Sequence, residues 1–364
     1  MAKKYGVGRV ALLEKGWIGG GNTGRNTQAV RSNYFYPESA ALCEHSLKLY
    51  EGLTREINFN IVMSQRGYMT LAHSEHELEI QRRTVHAIQL NGIDAEELTP
   101  KQVKELEPEI DLDARYPVMG GFIQRRAGII RHDAVAWGYA RAASDAGLDI
   151  IENCEVTDFE ISKNCITGVK TSRGQINAGA VGMAVAGHSS EMARLAGIRL
   201  PITSMALQAM VTEPIKPTLK RVVLSPSIHM YVSQSDRGEI VLGGVADIYC
   251  SYAQRGGTPV IEDVVTAFLE LFPRSRRLKL MRQWAGIIDI TPDTSPILGE
   301  MPVKNLYINC GWGTGGFKAI PAGGDTLAYT IANAKPHPLI KPFGLDRFTS
   351  GALIDESAAC GVDH

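Results

Sequence analysis

The chain has 364 residues, 44% of them hydrophobic and 21% charged, enough to bury a sizeable core in one large or two intertwined domains. Its 38 basic and 39 acidic side chains nearly cancel, so charge points to neither nucleic acid nor an anionic membrane as a partner. Six dispersed cysteines (Cys43, Cys154, Cys165, Cys250, Cys310 and Cys360) show neither zinc-site spacing nor a disulfide framework. With no signal-peptide pattern and no apolar stretch long enough to span a bilayer, reduced thiols in a cytoplasm are expected.

Short β-branched runs alternate with longer amphipathic segments, the pattern of a mixed α/β chain. In chain order, a strand is predicted over residues 9–14, then helices over 38–57, 75–91, 99–106 and 133–146. Strands follow over 149–155, 165–171 and 180–186, and a helix over 189–196. Residues 205–244 alternate in polarity and carry a hairpin signal, Ser235-Asp236-Arg237-Gly238 before Glu239-Ile240-Val241-Leu242, which predicts an antiparallel sheet. A helix over 261–272, a strand over 306–309 and a helix over 321–334 complete the pattern, with the tail after Arg347 expected to be extended and surface-lying. The parse gives a cofactor domain in three pieces, 1–45, 125–205 and 285–345. A second, antiparallel-sheet domain is supplied by 46–124 and 206–284, and residues 346–364 form a tail.

The run 10–14 reads as the second strand of a Rossmann dinucleotide-binding unit, closed by Glu14, where an acidic residue can accept hydrogen bonds from ribose hydroxyls. Alone, Glu14 reads equally as a surface glutamate at a strand end. The following Gly16-Trp17-Ile18-Gly19-Gly20-Gly21-Asn22-Thr23-Gly24-Arg25-Asn26-Thr27 lets main chain approach a bulky polar ligand, and Arg25 can meet phosphate or flavin oxygens. A flexible surface loop is the alternative. Near the other end, Gly311-Trp312-Gly313-Thr314-Gly315-Gly316-Phe317-Lys318 precedes the predicted helix at Pro321 and offers backbone N–H groups to an anionic or carbonyl-rich ligand such as an isoalloxazine edge. Trp284-Ala285-Gly286 and the segment 291–299 stand upstream, as pocket lining or as ordinary core and turn. His132 begins a predicted helix with Asp133 at its amino-terminal end, a place where a cap-region histidine is the plainer reading. No H-E-x-x-H, G-x-S-x-G or Walker loop is present.

Taken together, these motifs resemble the β subunits of heterotetrameric sarcosine oxidases, within the glycine-oxidase-like FAD-dependent amine oxidases. The most specific stretches are Leu13 to Gly16-Trp17 through Arg31-Ser32-Asn33-Tyr34, Arg131-His132-Asp133-Ala134-Val135-Ala136-Trp137-Gly138, and Cys310 through Lys318. The resemblance covers the whole chain and implies a Rossmann-like FAD-binding domain plus an antiparallel-sheet substrate domain, as in the D-amino-acid oxidase-like flavoproteins. It implies FAD held noncovalently by Glu14, Asn22, Arg25, Asn26, Thr27, the main chain at Ala29 and Val156, and Gly313, Gly316 and Lys318. It also implies FMN bonded covalently to His132, with Arg131 beside it, at the interface with a large α subunit, in an assembly with α, γ and δ subunits. The reaction implied is oxidative demethylation of sarcosine. A hydride equivalent passes to FAD and electrons to FMN, oxygen becomes hydrogen peroxide, and the imine passes to the α subunit. There it yields glycine with methylenetetrahydrofolate from tetrahydrofolate, or formaldehyde. Arg31 and Lys318 are the expected clamp for the substrate carboxylate, although each also reads as an ordinary surface or flavin-pairing cation.

Three departures stand out. Single-subunit relatives attach FAD through a cysteine where this chain has Gly286, so a cysteinyl flavin is not expected. They carry an oxygen-activating lysine on a strand matching Ile240-Val241-Leu242, which is apolar here. The first strand and glycine loop of the Rossmann unit, about 30 to 40 residues, should precede Arg9. Without them the chain is expected to bind FAD poorly or to misfold, and a misassigned start is the expected explanation. Two other readings stay open: an oxidase for another N-substituted amino acid such as an opine or proline, and a non-catalytic subunit without flavin.

Overall fold

Eight strands form the largest sheet of the computed structural model, which describes residues 2–356. They run in the order Leu280–Ile290, Thr203–Pro214, Glu239–Cys250, Met230–Gln234, Val222–Ser225, Tyr68–Ala72, Gly120–Gln124, Glu96–Leu98. The hairpin expected at 235–238 is present, with Gly238 N–H donating to Ser235 O (3.2 Å) and Ser235 N–H to Glu239 O (2.8 Å). The antiparallel sheet predicted over 205–244 is therefore found, with one correction: Val222–Ser225 pairs parallel with Tyr68–Ala72. Tyr68–Ala72 and Gly120–Gln124 are buried at every position, so they lack the alternation that marks a half-exposed strand. The helix Thr258–Leu271 buries Val260, Val264, Ala267, Phe268 and Leu271, spaced three and four apart, in one core with Met210, Ile240 and Leu242. Each of these valine, isoleucine, leucine, methionine and phenylalanine side chains contributes about 1.5–3 kcal/mol by leaving water.

The other parallel pairs lie in two smaller sheets. Ala11–Leu13 pairs with Asp149–Ile151, and Val181–Met183 pairs with Leu306–Cys310, which is also joined antiparallel by Ile297–Glu300. The strands predicted over 9–14, 149–155 and 180–186 are thus shorter than expected. After Ile151 the chain turns through Asn153, whose φ is +51°, and starts a separate antiparallel sheet of Val156–Ser162, Cys165–Thr171 and Gly174–Asn177. Leu13 and Val156 pack into one core with Ile308 and Cys310, which ties the smaller sheets together.

Helix starts follow local chemistry. Ser74 caps Glu75–Leu90 by accepting from Glu77 N–H (3.2 Å), while Glu77 accepts from His73 N–H (2.7 Å). Thr99 and Gln102 form a capping box on Pro100–Leu106. The last long helix corrects the sequence reading, since it spans Gly316–Asn333 with Pro321 inside it rather than at its start. Proline has no N–H for the carbonyl four residues back. That carbonyl, Phe317 O, accepts instead from the buried Tyr50 hydroxyl (2.8 Å) on the helix Pro37–Glu56.

The tail also departs from expectation. Arg347–Ser350 is helical, and Arg347, Ile354 and Glu356 are buried. Each finds partners in the interior that offset the entropy of ordering it: Ser295 Oγ donates to Ile354 O (2.6 Å), and Tyr36 N–H donates to the Glu356 carboxylate (3.0 Å). The remainder of the predicted tail, residues 357–364 with Cys360, lies outside the described residues.

Candidate functional site

The two glycine-rich segments meet on one strand, Leu280–Ile290. From the first segment, Asn22 Oδ1 accepts from Ile287 N–H (2.9 Å) and its amide nitrogen donates to Ile287 O. Trp284 Nε1 donates to Arg25 O (2.7 Å). Gly24 has to be glycine, because a Cβ there would stand 2.2 Å from Gly19 O. The polar groups singled out in this segment mostly brace it. Arg25 donates to Gly20 O and Gly21 O (2.9 Å to the latter), and Asn26 donates to Thr23 O while accepting from Gln28 N–H (2.7 Å). Glu14, just past the strand Ala11–Leu13, accepts from Gly16 N–H (2.7 Å).

The second segment is anchored by a residue the sequence did not single out. Asp289, 2% exposed, accepts from Gly311 N–H (2.6 Å) and from the backbone N–H groups of Trp312 and Gly313. Burial pushes its carboxyl up to about 6, with these amides and its own N–H pulling the other way. Three of the amides expected to face a ligand are thus occupied from within. Gly316 and Lys318, expected in a turn, lie in the first turn of the helix Gly316–Asn333.

Arg31 and Lys318 are brought to the same region by packing. Arg31 follows Val30 and Lys318 follows Phe317, and Val30 and Phe317 share one core. Arg31 is 5% exposed; its guanidinium donates to Asn33 Oδ1 (2.8 Å) and lies 4.7 Å from the centre of the Tyr34 ring and 5.5 Å from that of Tyr68. Lys318, 8% exposed, donates to Thr314 O (3.2 Å). The Tyr34 hydroxyl reaches toward Gly315, where a Cβ would be 3.2 Å away. Tyr231 is bonded through its hydroxyl to Thr27, and burial raises its ionisation well above the usual range. Tyr34, Tyr68 and Tyr231 are thus site neighbours that the sequence reading missed, since nothing local distinguishes them from core aromatics. Ala29 pairs with Ile129. Val156 pairs with Thr171 and packs in the separate core that holds Leu13 and Ile308.

His132 opens the helix His132–Asp145. Its Nδ1 is buried and has no hydrogen-bond partner among the described residues. Burial lowers its pKa below 6.5, so the ring is neutral at pH 7. Arg131 is turned away, with Nε donating to Asp133 Oδ1 (3.0 Å) and Nη1 lying 3.7 Å from Asp236 on the hairpin. One turn further along, Ala136 packs beneath the first glycine segment, 3.8 Å from where a Cβ on Gly19 would stand. A neutral imidazole with an unsatisfied buried nitrogen fits a group bonded to the ring. Among the described residues no three His, Cys, Asp or Glu side chains gather as a metal site, and no helix is long and apolar enough to cross a membrane.

A mixed α/β fold with two glycine-rich segments converging on one sheet edge is that of a flavin-dependent oxidoreductase. The model of the FAD dependent oxidoreductase family matches residues 1–330. The chain is 51% identical to sarcosine oxidase subunit beta of Rhodobacter capsulatus, over all of this chain and 88% of that one, and 52% identical to the same subunit of an Arthrobacter species, over all of this chain and 90% of that one. L-proline dehydrogenase of P. horikoshii superposes with a TM-score of 0.89 at 28% identity, covering 95% of this chain and 92% of the other. Glycine oxidase of Geobacillus kaustophilus shares the fold, with a TM-score of 0.84 at 21% identity over 93% and 92% of the two chains. The chain belongs to the FAD dependent oxidoreductase family and, within it, to the sarcosine oxidase β subunits.

Proposed function

We propose that the chain is the catalytic β subunit of a cytoplasmic sarcosine oxidase that works with α, γ and δ subunits. The observation that supports the reading is the convergence of Asn22 on Ile287 and of Gly311 on Asp289, which brings both glycine segments to one strand. FAD, when bound, supplies the two-electron acceptor for the N-methyl group, and FMN on His132 supplies the outlet toward oxygen and hydrogen peroxide. Glu14, Asn22, Arg25, Asn26, Thr27, Ala29, Val156, Gly313 and Gly316 are the proposed contacts to FAD, with Lys318 shared between FAD and substrate. Arg31, whose guanidinium lies against the Tyr34 and Tyr68 rings, and Lys318 clamp the sarcosine carboxylate so that the methyl group is presented to the flavin. The buried Tyr34 and Tyr68 and the half-buried Tyr231 narrow the space and exclude water, which strengthens the clamp. Released imine passes to the α subunit, where tetrahydrofolate or water takes the one-carbon unit.

The neighbouring proline dehydrogenase supports a second reading, since proline is also a secondary amino acid. Co-expression with the partner subunits, followed by flavin absorbance and peroxide formation with sarcosine, L-proline and an opine, separates the readings. The proposal expects flavin and the highest kcat/KM for sarcosine. Preference for proline or an opine would put the second reading ahead, and a folded complex without flavin would mark a non-catalytic subunit.

A further inference from the structure

We propose that Asp289 is a positioning residue for the second glycine segment: its carboxylate holds Gly311, Trp312 and Gly313 in place and keeps a negative charge beside the flavin ring, which lowers the flavin's reduction potential. The inference rests on the reading of that segment as a flavin contact.

Three consecutive N–H groups converging on one acceptor form a concave anion site, and such a site at a helix start ordinarily takes its anion from a ligand. Here the anion comes from the protein. Asp289 is 2% exposed and fills the cradle at 2.6 Å from Gly311 N. The cradle requires Gly311 at φ +74°, and a Cβ there would stand 2.8 Å from Thr291 Cγ2, so the shape is built in by sequence. Two residues earlier on the same strand, Ile287 holds Asn22 of the first segment. Residues 287–289 therefore set the spacing of both segments at once. The fixed charge has a chemical consequence: adding electrons to a ring held against this segment brings negative charge toward a carboxylate already there, in a water-poor interior where such terms are large.

Two variants test the claim. Asp289→Asn keeps the size and an acceptor oxygen for Gly311 N–H but removes the charge. It is expected to hold FAD at wild-type stoichiometry with a midpoint potential shifted to a more positive value. Asp289→Ala empties the cradle; in the FAD-free protein the amides of Gly311, Trp312 and Gly313 should exchange with deuterium about tenfold faster or more, and FAD affinity should fall by a similar factor. An unshifted potential in Asp289→Asn overturns the electrostatic claim, and unchanged exchange in Asp289→Ala overturns the positioning claim. Wild-type protein that takes up no FAD would instead refute the flavin reading, while the exchange measurement still decides whether Asp289 holds the segment.

Discussion

Arg347 and Asp293 face each other in the interior as a two-pronged ion pair, Nε to Oδ2 at 2.7 Å and Nη2 to Oδ1 at 2.9 Å. Asp293 also accepts from Ile354 N–H (3.2 Å), and Arg347 donates to Ser295 O (2.8 Å). The pair fastens the end of the described chain to the segment between Ile290 and Ile297. Removing one member strands the other charge, so Arg347→Met should lower unfolding free energy by about 3–5 kcal/mol. Burial raises the Asp293 carboxyl, but Arg347 more than offsets this and holds it below the usual aspartate range. The pair's contribution is therefore complete above that range and lost as pH falls through the lowered value. Urea melts of both forms at neutral and acid pH check the size and the sign. Equal midpoints at pH 7 would sink the prediction.

Glu107 behaves in the opposite sense. It is fully buried, one oxygen accepts from Lys220 N–H (2.9 Å) and Arg221 N–H (3.1 Å), and the other has no partner among the described residues. Burial raises its carboxyl to about 7, against the pull of the two amides. The folded state holds this proton more tightly than the unfolded one, so stability falls as pH rises from the ordinary glutamate range to about 7 and is flat above. The loss is on the order of 3 kcal/mol. Glu107→Gln should flatten that slope and be the more stable form at pH 8. Parallel thermal melts from pH 5 to 8 decide it, and identical slopes would count against the assignment.

For the substrate clamp, Arg31→Ala should lower kcat/KM for sarcosine by roughly 30- to 1,000-fold, the loss of about 2–4 kcal/mol from a buried charged partner. The effect should fall mainly on amines that carry a carboxylate. Relative activity toward dimethylamine, which has none, is expected to rise. A uniform loss on both substrates would mean that Arg31 is only structural.

His132→Asn should abolish a flavin adduct on the peptide containing residue 132 while leaving noncovalent FAD in place. Mass spectrometry of the digested complex reads the first, and flavin released by denaturation reads the second. An adduct persisting elsewhere on the chain would refute the role of His132.

The Tyr50 hydroxyl and Pro321 make a coupled pair. Tyr50→Phe should cost about 1–2 kcal/mol by leaving Phe317 O unpaired. In a Pro321→Ala background the new N–H at 321 can bond to that carbonyl, so the same change should cost about 1 kcal/mol less. A double-mutant cycle in urea measures the difference, and additivity would refute the compensation.

Much of the frame was legible because it is local. The Ser235-Asp236-Arg237-Gly238 turn announces itself within four residues, and the helix expected over 261–272 shows its apolar stripe. Strands buried on both faces, such as Tyr68–Ala72, carry no alternation to read. Pro321 reads as a helix start because the Tyr50 hydroxyl that makes it tolerable inside one lies 267 residues from Phe317, whose carbonyl it satisfies. The glycine segments were visible as ligand loops, but their anchors were not: nothing near Asn22 names Ile287, and nothing near Asp289 names Gly311. Such pairs exist only once the sheet has brought distant segments together.

Asn22 acts toward Ile287 as a neighbouring strand would, giving one bond and taking one, at the outer margin of the eight-stranded sheet. Its side chain is a one-residue cover for main-chain groups that would otherwise invite another chain to add on. A substitution made at Asn22 to weaken a ligand would therefore also uncover a sticky margin, and loss of flavin in such a variant is interpretable only beside a measurement of self-association.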